Sequence, residues 1–104
     1  MSATTAPALD PVIHPLLRFR FCAALAGTGV GGTVEFVVLR DALDVSDSQL
    51  SKIAAVLKEA GYVTVSKQAA DGRRRTWLSL TGAGRRAYGG HVAALREIAA
   101  TTGA

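Results

Sequence analysis

Positions 46–61 read SDSQLSKIAAVLKEAG, and the fold of the whole chain turns on this stretch. Ser46 and Gln49 stand three residues apart just ahead of an apolar run, which is the spacing of a capping box. The Ser46 hydroxyl can accept from the Gln49 peptide N–H while the Gln49 side chain reaches back to the Ser46 N–H. Leu50, Ile53, Ala54 and Leu57 then recur at the i, i+3, i+4 and i+7 positions of one helical face. Gly61 follows where a left-handed residue would end the helix. The pattern predicts a capped amphipathic helix over 46–60, with Ser48, Gln49, Ser51, Lys52 and Ala55 off its apolar stripe.

Downstream, YVTVSKQ (62–68) and RTWLSL (75–80) alternate as strands do. The segment 69–74 between them contains Asp71-Gly72, a hairpin-turn signal. Thr81 can then cap a final helix running to about Ala100. Upstream, Val37–Leu43 reads as a short helix closed by Asp44, and the β-branched Thr33–Phe36 as a small strand. Gly27–Gly32 reads as a loop. His14–Ala26 reads as a helix, with Pro15 in its first turn and Gly27 as its stop. Leu17-Arg18-Phe19-Arg20-Phe21 also alternates like a strand, and periodicity alone does not settle so short a run. Met1–Pro11 has no period and reads as a loose leader, giving an expected division into a flexible leader (1–13) and one domain (14–100). Two short helices joined by a tight turn, then a basic-tipped hairpin, make a winged helix-turn-helix. The class is α+β and mainly helical, with a two-stranded wing and a C-terminal helix over 81–100.

At 104 residues the chain suffices for one domain, and at 49% hydrophobic it can bury a core. A net charge of +4 points to an anionic partner without naming it. The single cysteine, Cys22, excludes an internal disulfide framework and gives no sign of an oxidising compartment. The longest charge-free apolar-looking run, Phe21–Val34, has 14 residues and four glycines, short of the roughly 20 apolar residues of a spanning helix. No basic segment leads into an apolar one at the N-terminus, as a signal peptide requires. The expectation is a soluble, basic, cytoplasmic domain.

Leu50-Ser51-Lys52 followed by Leu57-Lys58-Glu59-Ala60-Gly61-Tyr62-Val63 resembles the recognition helix and strand entry of small bacterial winged-helix regulators. Asp71-Gly72-Arg73 with Leu80-Thr81-Gly82-Ala83-Gly84 is similar to the D-x-R…L-T-x-x-G wing pattern of MarR-like proteins. His14-Pro15-Leu16-Leu17-Arg18 resembles the opening of a stand-alone subgroup related to MarR-like and ArsR-like regulators. The resemblance covers roughly residues 14–96. Two departures stand out: Gly82 and Gly84 replace the usual charged positions, and the Gly27–Gly32 loop is glycine-rich. The resemblance implies a winged-helix transcriptional regulator that binds double-stranded DNA, with repression as the expected sign. It also admits a small-molecule effector, for which no residue pattern here argues.

The placement of charge supports a DNA face independently. Between Lys67 and Arg86 stand six cations (Lys67, Arg73, Arg74, Arg75, Arg85, Arg86) and one anion, Asp71. A basic hairpin beside a capped helix suits phosphate binding better than a merely solvated turn. The candidate DNA-binding residues are Ser46, Ser48, Gln49, Ser51 and Lys52 on the helix and Lys67, Arg73, Arg74 and Arg75 on the wing. Ser, Gln and Lys can donate to base edges or phosphates, and Ala55 permits close approach to a thymine methyl. Helix 46–60 would enter the major groove and the 69–75 wing the adjacent backbone or minor groove. The competing reading is a winged-helix interaction module whose hairpin meets an acidic protein.

Other chemistry finds little support. Gly27-Thr28-Gly29-Val30-Gly31-Gly32 matches G-x-G-x-x-G, with Asp47 20 residues after Gly27. The dinucleotide motif, however, needs a strand before it and a second strand ending at the acid, and Asp47 instead opens a capped helix. His14, Cys22 and His91 are too scattered for a zinc site, and the clustered cysteines of some ArsR-like relatives are missing from Arg40–Ser46. Cys22, among Phe21, Ala23 and Leu25, reads as a small buried hydrophobe, and Trp77 as packing. No nucleophile–base spacing or paired carboxylates appear, so neither an enzyme, a cofactor nor a metal is expected.

The terminal helices carry the last expectation, a homodimer. Tyr88, Val92, Leu95 and Ala99 repeat at four, three and four residues, with His91 and Ile98 alongside, a seam suited to helix–helix packing. Leu16, Leu17, Phe19, Phe21 and Leu25 surround the first helix on more faces than one layer covers. The expected interface is Leu16, Phe19, Tyr88, Val92, Leu95 and Ile98. The alternative is that the last helix covers the first within one chain.

Overall fold

The structure is a computed structural model that describes residues 8–102. Its elements are α1 (Leu16–Ala26), β1 (Val34–Glu35), α2 (Phe36–Leu43), α3 (Asp47–Glu59), β2 (Val63–Ala70), β3 (Arg73–Leu80) and α4 (Gly82–Thr102). The strands form one antiparallel sheet in the order β1-β3-β2. The wing hairpin therefore has a third, short strand along its inner edge, pairing Val34 with Leu78 and Glu35 with Trp77. Ser79 Oγ reinforces that edge by donating to the Gly32 carbonyl at 2.9 Å.

Local chemistry sets the boundaries. Residues 17–21 are helical: Pro15 sits in the N-cap position of α1, and the alternation of that run yields to burial of Phe21, Cys22 and Leu25 along one side of the helix. α2 closes on Asp44, which takes a left-handed φ of 56°. α3 carries the complete capping box between Ser46 and Gln49 and buries Leu50, Ile53, Ala54 and Leu57. The hairpin is tighter than expected, because both strands run up to a two-residue turn. Asp71 (φ 54°) and Gly72 (φ 73°) both lie in the left-handed region, as a primed turn requires of its central residues. Arg73 and Arg74 thus start a strand and do not lie in a loop. Thr81 caps α4 by accepting from the Gly84 N–H at 2.9 Å.

α1 lies at the centre of the fold, touching α2, α3, α4 and β3. That placement covers most of the apolar residues around it, Leu16 excepted. Phe21 and Leu25 are fully buried with Leu39, Leu50, Leu57 and Leu78 inside one chain. Cys22 joins this core, and burial, aided by the nearby Asp10 carboxylate, pushes its thiol up to about 12. It is an inert hydrophobe.

The folded part begins earlier than position 14. Ile13 is fully buried and Val12 packs on the core. Asp10 organises the turn before α1, its Oδ1 accepting from the Val12 N–H at 2.8 Å and the Ile13 N–H at 3.3 Å. Residues 10–13 therefore belong to the domain and correct the expected leader. Residues 1–7 of that leader lie outside the described residues.

Candidate nucleic-acid interface

α3 presents one face to the core and leaves the other open. Ser46, Ser48, Gln49, Ser51, Lys52 and Ala55 are all exposed. They do not remain equally available. Gln49 Oε1 accepts from the Ser46 N–H at 3.1 Å, and Ser46 Oγ accepts from the Gln49 N–H at the same distance. Both side chains hold the start of the helix, which leaves Gln49 only its amide NH₂ group for a base. Ser48, Ser51 and Lys52 have no such duty.

An exposed ionic clasp links α2 to α3. Arg40 donates to Asp41 at 2.9 Å and to Asp47, in the first turn of α3, at 2.8 Å. Hydrogen bonds to these two carboxylates raise the Arg40 pKa above its ordinary value. The pair neutralises the one acid on the opening turn of α3, where a free carboxylate would repel phosphate.

The wing cations separate into two kinds. Arg73 and Arg74 are exposed on either side of the strand beside the turn, and Lys67 is exposed on β2. Among the described residues these three form no ion pair. Arg75 differs: it is half-buried and lies 3.8 Å from Glu35 of β1. Farther on, Arg85 donates to the Gly29 carbonyl at 2.7 Å. It thereby ties the Gly27–Gly32 loop to α4, and that loop leads into β1 with no helix opening inside it.

The expected dimer residues fall into two groups. Phe19 and Tyr88 stack on each other within the chain, ring centroids 5.7 Å apart, and Phe19 also meets His91 at 5.5 Å. This is the intrachain covering of α1 by α4 that the spacing left open. Leu16, by contrast, is 69% exposed and Ile98 39%, while Val92 and Leu95 are half-buried.

A partly buried polar knot escaped the sequence reading. The Asp10 N–H donates to His91 Nδ1 at 2.9 Å, and Tyr62 Oη donates to Asp10 Oδ2 at 2.6 Å. His91 is 2% exposed, and its pKa is lowered by burial and by the neighbouring His14, against a smaller opposing pull from Asp10. The bond to Asp10 raises the Tyr62 pKa. Tyr62 lies three residues beyond α3, so the knot joins the turn before α1, the segment between α3 and β2 and the middle of α4. Its members lie dozens of residues apart and carry no local signal. Among the described residues no group of three or more His, Cys, Asp or Glu could hold a metal ion, and no helix is long and apolar enough to cross a membrane.

A helix-turn-helix with its open face beside a paired, basic hairpin defines a winged-helix DNA-binding fold. Residues 17–99 match the family model described as a winged helix DNA-binding domain, and the chain belongs to that family. No curated protein sequence matches it. Among solved structures, it is similar to a transcriptional regulator homologue from Pyrococcus horikoshii OT3, with 22% identity, TM-score 0.71 and coverage of 84% of this chain and 83% of that one. NadR in complex with 4-hydroxyphenylacetate gives 23% identity and TM-score 0.69 over 88% of this chain and 64% of its own. ZitR, a zinc-responsive MarR family member from Lactococcus lactis, gives 18% identity and TM-score 0.59 over 97% and 63%. This chain thus spans less than two thirds of the latter two. At these identities the likeness is one of fold.

Proposed function

We propose that the protein is a sequence-specific transcriptional regulator of double-stranded DNA, binding as a homodimer and acting as a repressor. The observation that carries the reading is the contrast in side-chain commitment on one face. Ser48, Ser51 and Lys52 on α3 and Lys67, Arg73 and Arg74 on the wing are exposed and unpaired among the described residues, while Arg40, Arg75 and Arg85 are engaged. α3 enters the major groove and reads base edges, chiefly through Ser48, Ser51 and Lys52. The turn-proximal arginines hold the flanking phosphates or minor groove. The matched structures named as regulators support the same use of the fold.

The dimer proposal rests on the exposure of Leu16 on α1 and of Ile98 on α4, with Val92 and Leu95 half-buried on the same helix as Ile98. Two-fold pairing of α4 would set two recognition helices about 34 Å apart, matching a pseudo-palindromic site. Selection of bound fragments from genomic DNA tests the function: recovery of one sequence with two half-sites is expected, and indiscriminate recovery defeats sequence specificity. Light scattering checks the assembly, since a single-chain mass at tens of micromolar removes the dimer. Leu95→Glu should dissociate the dimer without loss of helicity.

A further inference from the structure

The amide of Gln49, exposed in the first turn of α3, is divided between two tasks. Its Oε1 accepts from the Ser46 N–H at 3.1 Å and from the Ser46 hydroxyl at 3.4 Å, which fills both lone pairs of that oxygen. Only an acceptor can meet a peptide N–H, so turning the amide over would set donor against donor. The NH₂ group, on the other branch of the planar amide, has no partner among the described residues. The capping box thus converts a side chain that ordinarily offers a donor and an acceptor into one that offers a donor alone. Its surroundings do not restore the missing acceptor. Asp47 Oδ1 is held by Arg40 at 2.8 Å, and Lys52, one turn farther along the exposed face, can only donate.

We propose that Gln49 is a donor-only reader of the major groove and that the base it selects is guanine. The inference rests on the DNA reading above and adds to it the identity of one recognised base. Guanine presents two acceptors side by side, N7 and O6, to an NH₂ group that carries two hydrogens. Thymine presents one acceptor beside a methyl group. Adenine presents one acceptor beside an amino donor, and the familiar bidentate pairing of glutamine with adenine needs the amide oxygen as well. That oxygen is engaged with Ser46, so the pairing would undo the cap of α3. Cytosine presents only a donor, which would face the NH₂ group donor to donor. The ranking therefore falls from guanine to cytosine, and it follows from the cap and not from the residue type.

The test selects binding sites from a pool of random duplexes with the wild type and with Gln49→Glu. A glutamate at this position keeps the capping box, one carboxylate oxygen accepting from the Ser46 N–H, and turns the outward group into an acceptor. One position in each half-site should move from guanine to cytosine, its preference ratio changing by about tenfold or more. The other positions and the melting temperature should stay as in the wild type. The added charge weakens binding to every duplex, so the readout is the ratio among the four bases at fixed salt. A second measurement replaces each guanine of the wild-type site in turn by 7-deazaguanine, which lacks the N7 acceptor. One guanine should be sensitive in the wild type and insensitive in Gln49→Ala. Identical base preferences in the wild type and Gln49→Glu, or no guanine whose sensitivity depends on Gln49, overturn the proposal and leave sequence-specific DNA binding standing. A wild-type preference for any other base at the shifted position overturns the donor-only lock. Selection of no sequence by the wild type removes the DNA reading itself.

Discussion

The two sides of the molecule use polar groups in opposite ways. On the α3–wing side, serines, lysines and arginines stand exposed, and most have no protein partner among the described residues. On the α1–α4 side, the half-buried Asp10 and Tyr62 and the buried His91 satisfy one another. A polar group left open costs nothing at a surface but is costly when buried, so burial forces partnership. Commitment therefore separates scaffold from reading surface better than residue type does. Three arginines within the same basic run illustrate this: Arg73 has no ion pair among the described residues, Arg75 is drawn to Glu35 and Arg85 holds a loop.

Breaking the scaffold should have the largest effects on stability. A Cβ at Gly84 would overlap the Tyr62 carbonyl oxygen, because the first turn of α4 lies against the backbone just before β2 with no room for a side chain. Gly84→Val should lower unfolding free energy by about 3 kcal/mol in a urea titration. A change within experimental error would show that α4 is not seated against that junction. Asp10→Ala removes acceptors from Tyr62, Val12 and Ile13 and should cost about 1–3 kcal/mol in the same assay. A loss far smaller than that would return residues 10–13 to the status of a leader.

Ser46→Ala probes the border between the two sides, since its hydroxyl is both exposed and engaged. The expected loss is about 1 kcal/mol of stability, with base preference held by the remaining α3 residues. A change of preferred operator without loss of stability would place Ser46 on the reading surface instead.

Acid should act on the scaffold through His91. Its pKa is lowered in the fold, so the unfolded chain binds the proton more readily than the folded one. The resulting penalty is absent above the unfolded value of about 6.5 and grows as pH falls below it. Protonated Nδ1 would also face the Asp10 N–H, donor against donor. Stability should drop as pH falls below about 6.5, and His91→Gln should reduce that drop. An equal drop in both proteins would assign it to the carboxylates. The smallest stability effect belongs to the wing: Arg73→Ala and Arg74→Ala should stay within about 0.5 kcal/mol of wild type. Each should nonetheless weaken binding to all duplexes alike and flatten the salt slope by about one. Larger destabilisation than that would erase the contrast between the two sides.

Much of the architecture was legible in one dimension because its signals are local. The capping box, the apolar stripe of α3, the Asp71-Gly72 turn and the Thr81 cap each lie within a few residues, and each dictates one backbone conformation by itself. The basic run likewise marks the wing in the sequence alone. What the tertiary structure decided are the matters of partnership across distance. It chose helix for the alternating run in α1 by burying one side of it, and it stacked Phe19 on Tyr88 within the chain. It folded Asp10 onto Tyr62 and His91, 52 and 81 residues away, and brought Lys58 to the same groove as Lys67. The physical reason is that a cap or turn is satisfied by its own neighbours, whereas a buried donor, a surface cation or an aromatic face takes whatever partner the packed chain delivers.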